Sequence, residues 1–364
     1  MNRRTFVASS LASSVASSLA AVRVSAAAPS NQPIGLNTYC LRAMKWTDFQ
    51  LLDYAAGLKL DAVFLQDSLD PEAQNPAHWP KVKERASQLG LHLETGAGAV
   101  LPRSPEGFNK SVQILRDGIN RAAAMGSPLM RCLAAGDRAH LPPGTPEQHI
   151  ETMIKLLKAV RSEAMDAGVK IAIENHKDFQ AWETRTFIEG AGKEFVGSYL
   201  DTGNPVFVLE NPMTTLEQLG PLAVTVHLRD SVIYEHPRGV AVQWVVLGDG
   251  VVDFQAFLTR MRQICPPVYV YIKPITGRPP QVLPYLEPSF WENSQRARAS
   301  ELAEFLKLAK KGRPYEGAMV IEDVPGKPVP PELQDAMKYQ QRADMERSVE
   351  YAKKTLNLGV RWRG

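Results

Sequence analysis

Three short apolar runs in the sequence each end in an ionisable residue. The first run ends in Glu174, the second in Asp201 and the third in His227. The two intervals between these residues are nearly equal, and each is about the length of one strand plus a returning helix. If the runs are successive parallel strands, two carboxylates and one imidazole lie side by side at their carboxyl ends. The spacing therefore predicts that the three groups converge on one site.

The first of these runs carries additional chemistry. In Glu174-Asn175-His176, the two-residue period of a strand puts Glu174 and His176 on one face and Asn175 on the other. Two ionisable groups then point the same way at a strand end. The alternative is that these polar side chains only bond a neighbouring loop.

The rest of the chain alternates β-branched runs with longer amphipathic ones, which predicts βα repeats and a parallel sheet. The helix that follows the first strand is capped at Trp46-Thr47-Asp48. The predicted strands are 34–39, 62–67, 91–95, 129–133, 170–174, 196–200, 223–226 and 268–272. Eight such units predict an α/β fold, a closed (β/α)8 barrel of about 330 residues over 33–364. The active site of such a barrel lies at the carboxyl ends of its strands.

The last barrel helix is separated from strand eight by a long segment. Asp344 to Leu356 has helical apolar spacing and predicts the closing helix, and a shorter helix is predicted from about Ser300 to Lys311. We interpret residues 274–343 as an insertion on the catalytic rim, packed against the mouth as a lid. A peripheral arm for oligomerisation is the alternative.

The N-terminus predicts export. Residues 1–28 combine the pair Arg3-Arg4 with a weakly apolar, serine-rich core and a small-residue end, as in a twin-arginine signal peptide. A Sec signal or an uncleaved anchor is the alternative. Removal of this signal leaves a formally neutral chain, because the excess of 42 basic over 39 acidic residues lies in Arg3, Arg4 and Arg23. We therefore expect a periplasmic protein with no nucleic-acid partner and no membrane contact after cleavage.

The cysteines and most histidines give weaker signals. Cys40, Cys132 and Cys265 permit one disulfide in an exported protein, but the sequence cannot choose the pair, and buried thiols are expected. Five histidines lack a partnered context and are expected to be surface or structural residues: His78, His92, His140, His149 and His236.

Four motifs together resemble a known family. They are Glu174-Asn175-His176, Asp201-Thr202-Gly203-Asn204, His227-Leu228-Arg229-Asp230 and Gly248-Asp249-Gly250 with Asp253. In order and spacing they are similar to the xylose isomerase-like TIM-barrel superfamily of sugar phosphate isomerases and epimerases, over roughly residues 33 to 273 plus the final helix. The resemblance implies a divalent metal, often manganese, with Glu174, Asp201 and His227 as three of its ligands. Mg²⁺, Co²⁺ or Zn²⁺ would also suit these donors.

The fourth ligand position departs from the family pattern. The family has a glutamate at the end of strand eight, whereas this chain has Lys273. A three-ligand metal site with Lys273 as acid or clamp is one reading, and an ammonium that replaces the metal by pairing with Glu174 and Asp201 is a second. In the third the site is inactive or the strand register differs, so that Glu287 or Glu322 supplies the acid.

The predicted chemistry is proton transfer next to a carbonyl of a sugar or polyol derivative, with metal assistance as one option. Catalytic roles are assigned to Glu174, Lys273 and His176, and substrate-binding roles to Arg229, Arg131, Gln66 and Asn204. The alternatives are a lyase or dehydratase that uses Lys273 on a keto-sugar, and a non-catalytic carbohydrate-binding protein. The expected partner is a small sugar substrate, and a homo-oligomer is one option for the assembly.

Overall fold

The computed structural model of the chain describes residues 31–66, 69–322, 324 and 327–364. The predicted signal peptide, residues 1–28, lies outside these residues and remains a prediction. Within the described part, none of the helices has the length and apolar character needed to cross a membrane.

Eight parallel strands close into a barrel, in the spatial order β1-β10-β7-β6-β5-β4-β3-β2. The barrel strands are β1 Ile34–Asn37, β2 Ala62–Leu65, β3 His92–Ala99, β4 Leu129–Leu133, β5 Lys170–Glu174, β6 Val196–Asp201, β7 Ala223–Leu228 and β10 Val270–Ile272. The strands β8 Asp230–His236, β9 Gly239–Val245 and β11 Gln281–Leu283 lie outside the barrel. The predicted (β/α)8 barrel is confirmed, and all eight predicted barrel strands are present. In the barrel, Asp201 is paired with His227 and His227 with Tyr271.

The helices are α1 Asp48–Gly57, α2 Trp79–Gln88, α3 Phe108–Met125, α4 Pro146–Lys158, α5 Arg161–Ala167, α6 Ala181–Ala191, α7 Pro212–Leu219, α8 Phe254–Ile264, α9 Ala299–Ala309 and α10 Pro331–Lys354. Helices α1 to α8 connect successive barrel strands, and α9 and α10 follow the last one. Local sequence fixes several of their starts. Thr47 and Gln50 form a capping box at α1, and the Asp253 carboxylate accepts a hydrogen bond from the Ala256 N–H at the start of α8.

Aromatic side chains fill the barrel interior below the strand ends. The His227 ring stacks between Tyr199 and Tyr271, with ring centroids 3.9 and 4.7 Å away, and Phe64 meets it edge-on. All four side chains are buried. His227 therefore lies in a packed aromatic layer, which provides a rigid floor for the site above it.

A small antiparallel sheet follows β7, and the sequence analysis did not predict it. β8 and β9 form a hairpin with His236 opposite Gly239, and β11 pairs with β9. The sequence does contain a pattern typical of a β-hairpin, because two β-rich runs flank the short turn Pro237-Arg238. The sheet brings Gln243 and Trp244 to the barrel mouth, where both line the central cavity.

The segment after β10 contains β11, α9 and the start of the closing helix. The predicted helix at 300–311 appears as α9, but α10 begins at Pro331 instead of Asp344. Residues 275–281 contribute to the wall of the central cavity. The assignment of 274–343 as an insertion and lid stays a prediction. The three cysteines are free thiols, with Cys40 and Cys132 buried and Cys265 half-buried.

Candidate active site

A cavity of about 740 Å³ opens at the carboxyl ends of the barrel strands. Five of the predicted site residues line it: Gln66, Arg131, His176, Arg229 and Lys273. Glu174, Asp201 and Asn204 lie against these side chains and are almost completely buried. The barrel thus brings most of the predicted residues to one place, as expected for the ends of parallel strands.

Lys273 is at the centre of the buried charges. Its Nζ donates to Glu174 Oε1 at 2.9 Å, to Asp201 Oδ2 at 3.0 Å and to the Tyr199 hydroxyl at 3.1 Å. The residue follows β10 directly, and its backbone N–H donates to the Leu228 carbonyl at 2.9 Å. The strand register is therefore the one predicted, with Lys273 at the end of barrel strand eight.

Two guanidinium groups complete the cluster. Arg131 Nε donates to Glu174 Oε2 at 2.6 Å, and Arg229 donates to Asp201 Oδ2 at 2.7 Å while lying over the Trp244 ring. The Asn204 amide donates to Glu174 Oε1 at 3.0 Å. Three cations thus face two carboxylates, so the cluster carries one positive charge in excess.

These contacts set the protonation states. Burial alone would raise the pKa of Glu174, but the charges of Arg131 and Lys273 outweigh it and hold that pKa well below its usual range. Burial and the Arg229 charge lower the pKa of Lys273. Burial and the Lys273 charge hold the pKa of His227 well below its usual value, so this imidazole is neutral.

The arrangement around Glu174 does not fit a divalent ion. The Lys273 ammonium already stands between the two carboxylates, and each also binds a guanidinium. Neither ring nitrogen of His227 has a hydrogen-bond partner, but the ring lies in the aromatic layer between Tyr199 and Tyr271. These contacts match the alternative in which the Lys273 ammonium takes the place of the metal between Glu174 and Asp201.

The acids considered as substitutes bind elsewhere. Glu287 pairs with Arg238 at the protein surface, and Glu322 forms an ion pair with Arg42 and accepts a hydrogen bond from Gln341. One group of three side chains in the described part of the chain could hold a metal: Asp48, Asp70 and His78, whose donor atoms lie within 4.8 Å of one another.

His176 has the features of a proton acceptor. It lines the cavity, and its Nδ1 lies within hydrogen-bond distance of the Gly136 carbonyl oxygen. A carbonyl can only accept, so Nδ1 carries the proton and Nε2 is the basic nitrogen. Burial lowers the pKa of His176 against the opposing charge of Glu174, which keeps the ring neutral near pH 7.

The cavity wall is cationic, a property that the sequence analysis missed. Among the residues that the structure describes, the lining includes no carboxylate and five cationic side chains: Arg131, Lys177, Arg229, Lys273 and Arg278. Lys177 pairs with Asp137 at 3.2 Å and lies over the Phe207 and Trp244 rings, and Arg278 donates to the Tyr39 hydroxyl at 3.3 Å. Lys177 could have been expected at the cavity because it follows His176 directly in the sequence. No motif around Arg278 indicated that this residue would line the cavity.

Comparison with known proteins adds a family and a fold. A family model described as xylose isomerase-like TIM barrel matches residues 52–268. The 3-oxo-isoapionate decarboxylase of Pectobacterium atrosepticum is 23% identical over 216 residues, which cover 59% of this chain and 67% of that protein. The uncharacterized protein YihM of Escherichia coli is 28% identical over 102 residues, 28% of this chain, and the match spans 31% of YihM.

Two solved structures share the barrel. The IOLI protein with a bound zinc atom has a TM-score of 0.55 at 14% identity, covering 75% of this chain and 99% of that one. A D-tagatose 3-epimerase-like protein has a TM-score of 0.54 at 16% identity, covering 76% and 97%. At these identities the likeness shows the fold.

Proposed function

The chain belongs to the xylose isomerase-like TIM-barrel family, and from this premise we propose that it is an enzyme that forms an enolate from a keto derivative of a sugar. The observation that carries the proposal is the Lys273 ammonium at the cavity wall, held between Glu174 and Asp201. An ammonium in that place can supply the positive charge that an enolate oxygen needs.

The electrostatics of the site support enolate formation. The buried cluster holds one positive charge in excess, and Lys273 and Arg229 both line the cavity. Fixed donors in a site of low dielectric stabilise a developing negative charge more strongly than water does. Glu174 and Asp201 then serve to hold the three cations in place, and Glu174 is not the base.

His176 is the proposed base. Its Nε2 removes the proton from the carbon next to the carbonyl, and the electron pair moves onto the carbonyl oxygen beside Lys273. When the deprotonated carbon carries a hydroxyl, the product is an enediolate. The hydroxyl proton moves to the former carbonyl oxygen, and the imidazolium returns its proton to the former carbonyl carbon, which gives isomerisation.

Decarboxylation is the second candidate reaction. In a 3-oxo acid, loss of the carboxylate as CO₂ leaves the bond's electron pair on the same kind of enolate. Because His176 is neutral at rest, the proton that the enolate carbon then takes comes from solvent, with His176 Nε2 as the relay. The cationic lining favours an acidic substrate, and the relative from Pectobacterium atrosepticum is named a decarboxylase of a 3-oxo sugar acid. Both reactions require the same ammonium.

The lining also supports a substrate class. Five cationic side chains face the cavity, while Glu174 and Asp201 are covered by them. A carboxylate or phosphate on the substrate would offset the excess positive charge. We therefore propose an anionic keto-sugar, such as a keto-sugar acid, as the substrate.

Proton exchange in D₂O tests the proposal. The protein is incubated with 2-keto-D-gluconate, 5-keto-D-gluconate or uncharged D-fructose, and ¹H NMR follows deuterium entering beside the ketone. We expect exchange with a keto acid, unaffected by chelator, and a loss of about 10²–10³-fold in Lys273→Gln. His176→Asn is expected to abolish exchange while leaving binding measurable.

The opposite outcome favours a binding protein. Both oxygens of Glu174 are occupied by Lys273, Asn204 and Arg131, so Glu174 is not a free carboxylate base. If calorimetry detects binding of these compounds while no deuterium enters any of them, the enzymatic proposal is wrong and a carbohydrate-binding role takes its place.

A further inference from the structure

Three buried side chains meet at the side of the barrel, outside the cavity described above. Asp48 is the first residue of α1, Asp70 lies in the loop after β2, and His78 precedes α2. His78 Nε2 is 3.1 Å from Asp48 Oδ2 and 3.8 Å from Asp70 Oδ2. All three residues are at least nine-tenths buried.

The two carboxylates are incompletely compensated. Asp70 accepts hydrogen bonds from the backbone N–H groups of Asp48 and Glu72, each at 2.7 Å. Asp48 bonds His78 through Oδ2, but its Oδ1 is buried and has no hydrogen-bond partner. An orphaned carboxylate oxygen beside a second buried carboxylate is costly unless a positive charge is close. The buried Arg121 guanidinium also acts on Asp48, but Asp48 Oδ1 receives no hydrogen bond from it.

We propose that Asp48, Asp70 and His78 bind a divalent cation of the zinc or manganese class. Two carboxylate oxygens and one imidazole nitrogen are donors that such ions accept. Bonds of about 2.1 Å in a tetrahedral arrangement place neighbouring donor atoms about 3.4 Å apart. The measured separations of 3.1 and 3.8 Å bracket that spacing.

The site would be structural. It joins the first turn of α1 to the loop between β2 and α2, and that loop begins beside Gln66, which lines the catalytic cavity. A bound ion would hold this side of the cavity wall without contacting Lys273. The proposal is independent of the enolate chemistry, because its readouts are metal content and thermal stability.

The alternative is a hydrogen-bonded cluster without metal, and the variant Asp48→Asn separates the two by the sign of its effect. In a metal-free cluster, the introduced amide still accepts the bond from His78 and removes one of two repelling charges, so the variant is as stable as wild type or more so. In a metal site, the variant loses the ion and the stability that the ion supplies. Asp53→Asn, on the exposed face of α1, is the matched control.

Purified full-length chain is loaded with Zn²⁺ or Mn²⁺, dialysed and analysed by mass spectrometry, with thermal unfolding in metal and in EDTA. We expect about one ion per chain and a higher Tm with metal in wild type and in Asp53→Asn. Asp48→Asn and His78→Gln should lose both the bound ion and the rise in Tm that the metal causes. If wild type retains no ion, or if Asp48→Asn retains the same ion content and metal-dependent Tm as wild type, the proposal is overturned.

Metal retained by wild type and also by Glu174→Gln supports a location outside the catalytic cavity. If Glu174→Gln abolishes metal retention while Asp48→Asn keeps it, the ion binds at the barrel mouth and the proposal is likewise overturned.

Discussion

Lys273 changes the role of each residue that it touches. The spacing of Glu174, Asp201 and His227 predicts that they converge, and the family resemblance implies a metal there. In the structure, however, both carboxylates accept hydrogen bonds from cations. At the residue scale, Glu174 acts as an anchor for Lys273 and Arg131. His176, with its basic nitrogen available, becomes the candidate for proton transfer.

The buried cluster predicts unequal effects of two conservative substitutions. Glu174→Gln leaves two excess positive charges in a buried site and is expected to lower the free energy of unfolding by about 3–5 kcal/mol. Lys273→Gln leaves two cations with two carboxylates and should cost less, about 1–3 kcal/mol. Urea denaturation of both variants measures this order. The exposed pair partner Glu189 supplies the control Glu189→Gln, which should change little. Equal losses of unfolding free energy in Glu174→Gln and Lys273→Gln would contradict the proposed excess of one positive charge in the buried cluster.

Glu210 predicts a pH dependence of stability. Its carboxyl accepts from the Ala181 N–H and the Thr215 hydroxyl, and burial raises its pKa from 4.5 to about 8. Since the folded state retains a proton that the unfolded chain releases, this residue's contribution is fully present below pH 4.5 and is lost as the pH rises through 8.

The variant Glu210→Gln should remove that dependence. Between pH 5 and pH 8 we expect the unfolding free energy of wild type to fall relative to the variant by up to about 1.4 kcal/mol per pH unit. Denaturation at several pH values measures the difference. Parallel curves for the two proteins would show that Glu210 has no raised pKa.

At the scale of elements, the antiparallel sheet decides the shape of the cavity wall. β9 carries Gln243 and Trp244 to the mouth, and Trp244 lies beneath the Arg229 guanidinium with its indole N–H donating to the Gly203 carbonyl. The orientation of Arg229, one of the three cations of the buried cluster, therefore depends on a hairpin that lies outside the eight βα units.

Gly239 at the start of β9 makes this dependence testable. Its φ is +149°, and a Cβ there would lie 2.3 Å from the Leu283 carbonyl oxygen of β11. Gly239→Ala should separate the two strands and destabilise the protein by about 1–3 kcal/mol. Thermal unfolding measures the effect. The control is Gly57→Ala in α1, where a Cβ meets nothing within 4 Å and no loss is expected. An unchanged Tm in Gly239→Ala would contradict the close approach.

At the scale of the whole molecule, charge is distributed unevenly. The full chain has a formal net charge of only +3, yet the described part of the cavity lining has five cationic side chains and no carboxylate. A focused positive field in a neutral protein attracts anions to the mouth of the barrel. The mean composition therefore gives no indication of the substrate class, whereas the local charge does.

Salt and substrate charge provide the corresponding prediction. With 2-keto-D-gluconate, kcat/KM should fall as ionic strength rises, and Lys177→Met and Arg278→Met should each raise KM about tenfold or more while affecting D-fructose little. Steady-state kinetics on the two compounds measure this. An equal effect on both compounds would indicate that the two residues shape the cavity without recognising charge.

Sequence patterns were enough to predict the barrel and the end at which its site lies. Alternating strand and helix patterns are local properties, and parallel strands place their carboxyl ends together, so the eight strands and the approach of Glu174 to Asp201 were predictable from the chain. The place of Lys273 at the end of strand eight came from the family resemblance. Only the tertiary structure decided that three cations share two carboxylates, that His227 is stacked in an aromatic layer and that Asp48, Asp70 and His78 meet. These contacts join residues from different elements, and their distances depend on side-chain packing, which neither periodicity nor spacing encodes.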